Sequence, residues 1–338
     1  LKKRMLFSSL ALAAFLVGCG DSSTPTPTQN GSTTNEAGSS NGGETTSEKV
    51  ETRLVTIGTG GASGPYNILG TTLADIYSTD FGINSRTQTT GASVENINLL
   101  EQGKIEIAFV MSDALSQALA GEVSFKEPIK NVSQIATLYP NVVQIIAKKD
   151  SGIETIEDLI GKRVAVGDQN SGVEVNARTL LAGHGITYDQ LKVDYLGYAE
   201  AADGLNAGTI DAAFLTSGLP NASVLELSET LGITLVSIDP ANVDDIAKEH
   251  PYFISYEVPA GTYGNDQPIK TAAVPNSLVV RTDMSENDVY LLTKKFYESQ
   301  EKLVNSHQAA NEIPALDAQS GFIAPVHPGA QKYFDEQK

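Results

Sequence analysis

Apolar residues in this chain fall into short unbroken runs separated by glycine-rich turns, alternating with stretches where they recur every third or fourth position. Leu54, Val55 and Ile57 form such a run, which predicts a short buried strand. Gly58, Gly60, Gly61 and Gly64 then predict a turn, since glycine tolerates positive φ and lets a ligand approach the main chain. Pro65 suits the opening of a helix, and Ile68, Leu69, Leu73 and Ile76 follow at helical spacing. A strand feeding a glycine turn and a helix N-terminus leaves backbone N–H groups pointing outward, a ready anion site. The alternative is a tight turn with nothing bound.

The pattern continues with a polar strand near 85–89. Gly91-Ala92-Ser93 leads into a helix carrying Val94, Ile97, Leu99 and Leu100, with Ser93 placed as its N-cap and Asn96 three residues in. These residues read either as ordinary capping or as a second set of helix donors facing the first. Residues 105–110 predict a buried strand ending in Met111-Ser112-Asp113, and 114–120 a short helix stopped at Gly121. Residues 134–147 are too long for a simple strand and are interrupted by Pro140, as a segment crossing between two lobes would be. The run 163–167, the polar turn Asp168-Gln169-Asn170-Ser171-Gly172 and a helix with Val175, Ala177, Leu180 and Leu181 repeat the opening unit in the second half. Strands at 193–196, 211–215 and 233–238, with a helix at 199–207, extend the alternation, and Thr216-Ser217-Gly218 sits at a strand end. Residues 272–280, containing Pro275, predict a second crossing, and 286–304 a single amphipathic helix. Strands separated by helices imply an α/β fold of mostly parallel sheets, with ligands bound beyond the strands' carboxyl ends.

Length and composition refine this. The 338 residues suffice for about two domains. Lys2, Lys3 and Arg4 precede an uncharged apolar run at 6–17 that is too short to span a bilayer comfortably, the layout of a signal peptide. Leu16-Val17-Gly18-Cys19 resembles a bacterial lipobox, which implies cleavage before Cys19 and lipidation of its sulfur. Residues 20–49 carry almost no apolar side chains and read as a flexible tether. The expected organisation is therefore a leader at 1–18, a tether at 19–50, lobe 1 at 51–138 plus about 276–338, and lobe 2 at about 139–275. Cys19 is the sole cysteine, so neither an internal disulfide nor a thiolate metal cluster can form. The net charge of −18 argues against nucleic acid as a partner.

Catalytic motifs are missing. Gly58 and Gly60 begin a dinucleotide fingerprint, but Ser63 stands at its third glycine and Gly64 comes one residue late. There is no phosphate-binding G-x-x-x-x-G-K-[ST], no G-x-S-x-G elbow and no H-E-x-x-H; His184, His250, His307 and His327 are scattered. His184, between two glycines after a helix, reads as a partner of that helix's C-terminal dipole, and His327 as structural. With no nucleophile–base pair, the expectation is a non-enzyme with no cofactor and no metal.

Seven short motifs recur in order: Thr59-Gly60-Gly61-Ala62-Ser63-Gly64, Gly91-Ala92-Ser93-Val94-Glu95-Asn96, Leu138-Tyr139-Pro140, Gly161-Lys162-Arg163-Val164, Asn170-Ser171-Gly172, Ile210-Asp211-Ala212-Ala213-Phe214 and His327-Pro328-Gly329-Ala330. Together they resemble the TAXI family of solute-binding proteins, which serve tripartite ATP-independent periplasmic (TRAP) transporters. The resemblance runs from about residue 53 to 334. It implies a two-lobe periplasmic-binding-protein fold of type II kind, lobes joined by crossing strands, and a cleft closing on an organic acid or amino acid such as glutamate or 2-oxoglutarate. It also implies delivery of this small carboxylate-bearing solute to the membrane subunits of an ion-driven TRAP permease. The lipobox and tether separately place the body outside a bacterial cell membrane, held by its lipid, and the expected state is a monomer. The alternatives are an ATP-driven permease or a sensor as partner, and a secreted enzyme on the same scaffold.

The resemblance and the strand ends together nominate Gly60, Gly61, Ser63, Gly64, Tyr66, Ser93, Asn96, Ser112, Asp113, Tyr139, Asn141, Asn170, Ser171, Gly172, Glu174, Ser217 and Gly218 as ligand-binding residues. The chain departs from the family at Pro65-Tyr66-Asn67, where a Tyr-Tyr or Tyr-Pro pair is frequent, and at Asn141, where glutamate is usual after Tyr-Pro. A neutral Asn141 offers a bound ammonium only dipoles, so the expectation leans toward 2-oxoacids or dicarboxylates without an ammonium, unless Asp113 or Glu174 supplies the charge. Otherwise Asn141 caps a turn after Pro140.

Overall fold

The computed structural model describes residues 49–338. The leader, Cys19 and nearly all of the expected tether lie outside them. The body of the chain is a single compact unit over Thr46–Lys338.

The first half opens with β1 (Leu54–Gly58), α1 (Pro65–Phe81), β2 (Asn84–Gln88), α2 (Ser93–Glu101), β3 (Ile107–Met111) and α3 (Ser112–Ala120). A long strand, β4 (Ser133–Lys148), carries the chain across into β5 (Arg163–Ala165), α4 (Gly172–Gly183), β6 (Lys192–Asp194), α5 (Tyr198–Ala207) and β7 (Ala212–Ser217). Then come α6 (Ala222–Thr230), β8 (Ile233–Val236), α7 (Pro240–Ala247), β9 (Ile254–Val258) and the returning strand β10 (Ile269–Val280). Helices α8 (Glu286–Glu298), α9 (Gln300–Ser306) and α10 (Pro328–Glu336) close the chain.

Among the described residues the ten strands form one sheet in the order β2-β1-β3-β10-β4-β7-β5-β6, with β8 on β4 and β9 on β10. The flanks β2-β1-β3 and β7-β5-β6 are parallel, as strand–helix alternation requires. Every pairing of β4 and β10 with another strand is antiparallel. Pro140 and Pro275 face each other in the β4–β10 pairing, and the register shifts just beyond Pro275. Proline lacks the N–H a ladder needs, so two opposed prolines loosen this central pair where it passes between the flanks. Asn141 lies inside β4 opposite Val274, so the turn-capping reading is corrected: it is a strand residue with 2% of its surface exposed.

Alternation along the strands builds core on both faces. Ile107 and Phe109 of β3 pack with Leu69 and Leu73 of α1 and Leu292 of α8, while Ala108 and Val110 pack with Ile97 of α2 and Leu115 of α3. In β7, Ala212 and Phe214 join Leu180 of α4 and Ile246 of α7, and Ala213 and Leu215 join Leu205 of α5 and Leu227 of α6. β4 and β10 feed both sets: Leu138 and Leu278 belong to the first group, Val143 and Val274 to the second.

Two local expectations are corrected. The helix expected over 286–304 breaks at Ser299, whose N–H bonds back only three residues to the Phe296 carbonyl, a tightened turn that ends α8. Ser93 is not the N-cap of α2; Ala92 is, at φ 72°, because the Ser93 hydroxyl accepts the Met111 N–H at 3.0 Å and ties α2 to β3.

Candidate functional site

Beyond the carboxyl ends of β1, β5 and β7, four helix N-termini converge on one cavity. Gly60, Gly61, Gly64 and Tyr66 line it from the α1 turn, Gly91 and Ala92 from α2, Asp168, Ser171 and Val173 from α4, and Gly197 and Tyr198 from α5. Asn141 of β4 and Ser217 of β7 complete the wall. Its volume is about 510 Å³ counted to the open mouth. Only a compact solute fits without the walls parting.

Each turn is shaped by packing. Gly64 precedes α1 in an extended conformation (φ −93°, ψ 152°), and its N–H bonds to the Gly61 carbonyl at 3.1 Å. None of Gly58, Gly60, Gly61 and Gly64 has positive φ, so that expectation is corrected. Close approach keeps Gly64 small instead: a Cβ there would lie 3.1 Å from Cε2 of Tyr198, on the opposite flank. Gly172 has the same role on the other seam, where a Cβ would sit 2.7 Å from Ser93 Oγ and 2.8 Å from Met111 Sδ. Positive φ beside the cavity occurs at Gly167 (φ 95°) and, among the non-glycine residues, at Ala92 and Asn170 (φ 66°). Their turns meet, with the Glu95 N–H donating to the Asn170 carbonyl at 3.3 Å.

The opening N–H groups of an α-helix have no partner within it. Ser171 caps α4 by accepting the Glu174 N–H at 3.1 Å, which leaves the earlier N–H groups of that turn unclaimed by the helix. Four such termini around one space give a positive end-field worth about 0.3–1 kcal/mol per terminus toward an anion, and up to about 2 where water is excluded. No lysine, arginine or histidine is among the lining residues. The one charged lining residue is Asp168, whose carboxyl is raised above the usual range by burial and by the neighbouring Glu200 and Glu95.

A chain of side-chain hydrogen bonds runs behind the wall. Asn276 Nδ2 donates to the Tyr139 carbonyl at 2.8 Å, the Tyr66 hydroxyl donates to Asn276 Oδ1 at 2.5 Å, and Asn141 Nδ2 donates to the Tyr66 oxygen at 3.3 Å. Asn141 Oδ1 is buried without a protein partner among the described residues. Burial holds the Tyr66 hydroxyl well above its ordinary range, so it keeps its proton. The Tyr198 hydroxyl is committed to the Thr216 carbonyl at 2.6 Å.

Of the nominated residues, Gly60, Gly61, Gly64, Tyr66, Asn141, Ser171 and Ser217 line the cavity. Gly172, Ser93 and Asn170 form the seam beside it, and Ser63 is half-buried in the α1 turn without reaching the lining. Asn96 bridges the Thr59 and Phe109 carbonyls at 2.7 and 2.9 Å, a structural brace. Tyr139 and Gly218 pack on one another behind β7. Ser112 and Asp113 are buried at the start of α3. Glu174 is held by Arg178 at 2.5 Å and by the Tyr188 hydroxyl at 2.9 Å, away from the lining. Asp168 and Tyr198 were missed by the sequence reading. For Tyr198 the signal was present, since the strand at 193–196 followed by Gly197 and a helix is a third strand–glycine–helix unit.

An NMT1-like family model matches residues 57–337. Among solved structures, a protein from Bordetella bronchiseptica RB50 superposes with a TM-score of 0.55 at 16% identity, covering 85% of this chain and 90% of that one. A structure described as a periplasmic transporter gives 0.52 at 14% identity over 85% and 93% of the two chains. A binding-protein component of an ABC phosphonate transporter from Pseudomonas aeruginosa gives 0.50 at 14% identity over 75% and 79%. The fold is thus the α/β periplasmic-binding-protein fold.

Proposed function

The chain belongs to the NMT1-like family, and from that premise we propose that it is an extracytoplasmic solute-binding protein that captures a small carboxylate-bearing solute and passes it, chemically unchanged, to a membrane permease. The observation that carries this reading is the convergence of four helix N-termini on one compact cavity whose lining has no cationic side chain. Such a site stabilises an anion through backbone N–H groups and leaves it easy to release. Closure of the two flanks about β4 and β10, the lobes expected from the sequence, accompanies capture.

An ATP-driven permease is the favoured partner, supported by the likeness to the phosphonate transporter's binding component. The ion-driven TRAP permease keeps the support of the motif resemblance alone. Receptor-stimulated ATP hydrolysis in membranes of the source cell distinguishes the two, and an ATPase that never responds to the loaded receptor counts against the first. Lipid attachment at Cys19 is part of the proposal: Cys19→Ala should move the chain out of the membrane fraction, and unchanged partitioning removes the anchor.

The binding reading is tested by thermal denaturation with a panel of mono- and dicarboxylates. At a hundredfold excess over Kd a bound acid adds about 2.7 kcal/mol to stability. A panel that leaves the melting temperature unmoved sinks the reading.

A further inference from the structure

We propose that Asn141 is the specificity-determining residue of the cavity, held by the Tyr139 carbonyl, Asn276 and Tyr66 as a hydrogen-bond acceptor, so that the solute is a compact acid carrying a donor group, an ammonium or a hydroxyl. This rests on the solute-receptor reading above and runs against the preference for 2-oxoacids that a neutral amide suggests.

Amide orientation is the point at issue, since an asparagine can offer either its oxygen or its nitrogen. Here a backbone atom fixes the choice. The Tyr139 carbonyl only accepts, so the side-chain atom of Asn276 at 2.8 Å from it is the nitrogen. Asn276 then turns its oxygen to Tyr66 at 2.5 Å, and the Tyr66 hydroxyl gives it its proton. The Tyr66 oxygen, 3.3 Å from Asn141, accepts from the Asn141 nitrogen. Reversing Asn141 alone would set its oxygen against a hydroxyl oxygen whose proton is already used. Reversing Asn276 as well would set an amide oxygen against a carbonyl. The polarity therefore propagates one way and ends at Asn141 Oδ1, an acceptor buried in a cavity-lining residue and without a protein partner among the described residues. An unmatched buried acceptor is costly, and a ligand donor that satisfies it is selected over one that cannot. Asp168, the charged residue of the same lining, adds a second acceptor.

The test is calorimetric titration of the full chain with three sets of acids matched in carbon skeleton: alanine, lactate and pyruvate; glutamate, 2-hydroxyglutarate and 2-oxoglutarate; leucine, 2-hydroxyisocaproate and 4-methyl-2-oxopentanoate. Within any set that binds, the amino or hydroxy member should be tighter than the oxo member by about tenfold or more. A tighter amino member assigns the donor to an ammonium, and a tighter hydroxy member to a hydroxyl. Tyr66→Phe removes the link that holds Asn141, and the ratio should fall to about threefold or less. Asn141→Leu should abolish the discrimination, while Asn141→Asp, with two acceptor oxygens, should retain it; these two keep the test open if Tyr66→Phe fails to fold. Equal or tighter binding of the oxo member by the native chain overturns the inference and leaves the receptor reading standing. No binding by any of the nine acids overturns the acid-receptor reading and the inference with it.

Discussion

Gly64 and Gly172 hold the two seams of the cleft, and each does so by lacking a single carbon. A valine at 64 keeps an allowed extended backbone but drives its side chain at the Tyr198 ring. Gly64→Val should therefore weaken acid binding by about tenfold or more, roughly 1.4 kcal/mol, with little change in melting temperature; unchanged affinity would show that the seam does not control closure. Asp113 carries a different prediction. Burial lifts its carboxyl to about 7, against the opposing pull of the Ala114 N–H at 2.7 Å. Between pH 3.8 and about 7 the native chain binds a proton that the unfolded chain has released, so stability falls as pH rises through that window, by about 1.4 kcal/mol per pH unit. Asp113→Asn should flatten the slope in denaturant melts across this range, and a slope that persists assigns it to another group. At this scale the glycine turns were legible in the sequence as turns, but the packing against Tyr198 that keeps Gly64 small was not, since it joins residues far apart in the chain. Glu174 was not, because its position in the string says nothing of where its carboxylate points. Arg178, one turn on, draws it along the helix flank.

Among the elements, α4 depends most visibly on a single side chain. Ser171 both caps it and lines the cavity, so Ser171→Ala should cost about 1 kcal/mol of stability and also weaken ligand binding. Loss of stability with intact binding would reduce Ser171 to a cap. Strand–helix alternation made most of the first half legible, including the long crossing strand, whose length and Pro140 marked it as unusual. Elements α6, α7, β9 and α10 were not read. β9 is exposed along most of its length and shows no clean alternation. α10 starts from a His327 cap that the sequence shows only as a histidine before proline. The break at Ser299 was also invisible, since the apolar spacing of α8 continues through it.

For the whole molecule, the account stands on a solute held between the two flanks of one sheet, with β4 and β10 passing between them. Sequence order alone suggested where the chain crosses. It could not show that all the strands share one sheet, because the antiparallel pairing of β4 with β10 joins residues more than a hundred positions apart. Native mass spectrometry of the chain purified without denaturation tests the central claim most directly. The account predicts a bound small acid in one-to-one ratio, recovered chemically unchanged on unfolding and carried at much lower occupancy by Gly64→Val. A chain that stays bare, including after incubation with millimolar carboxylates, would contradict it.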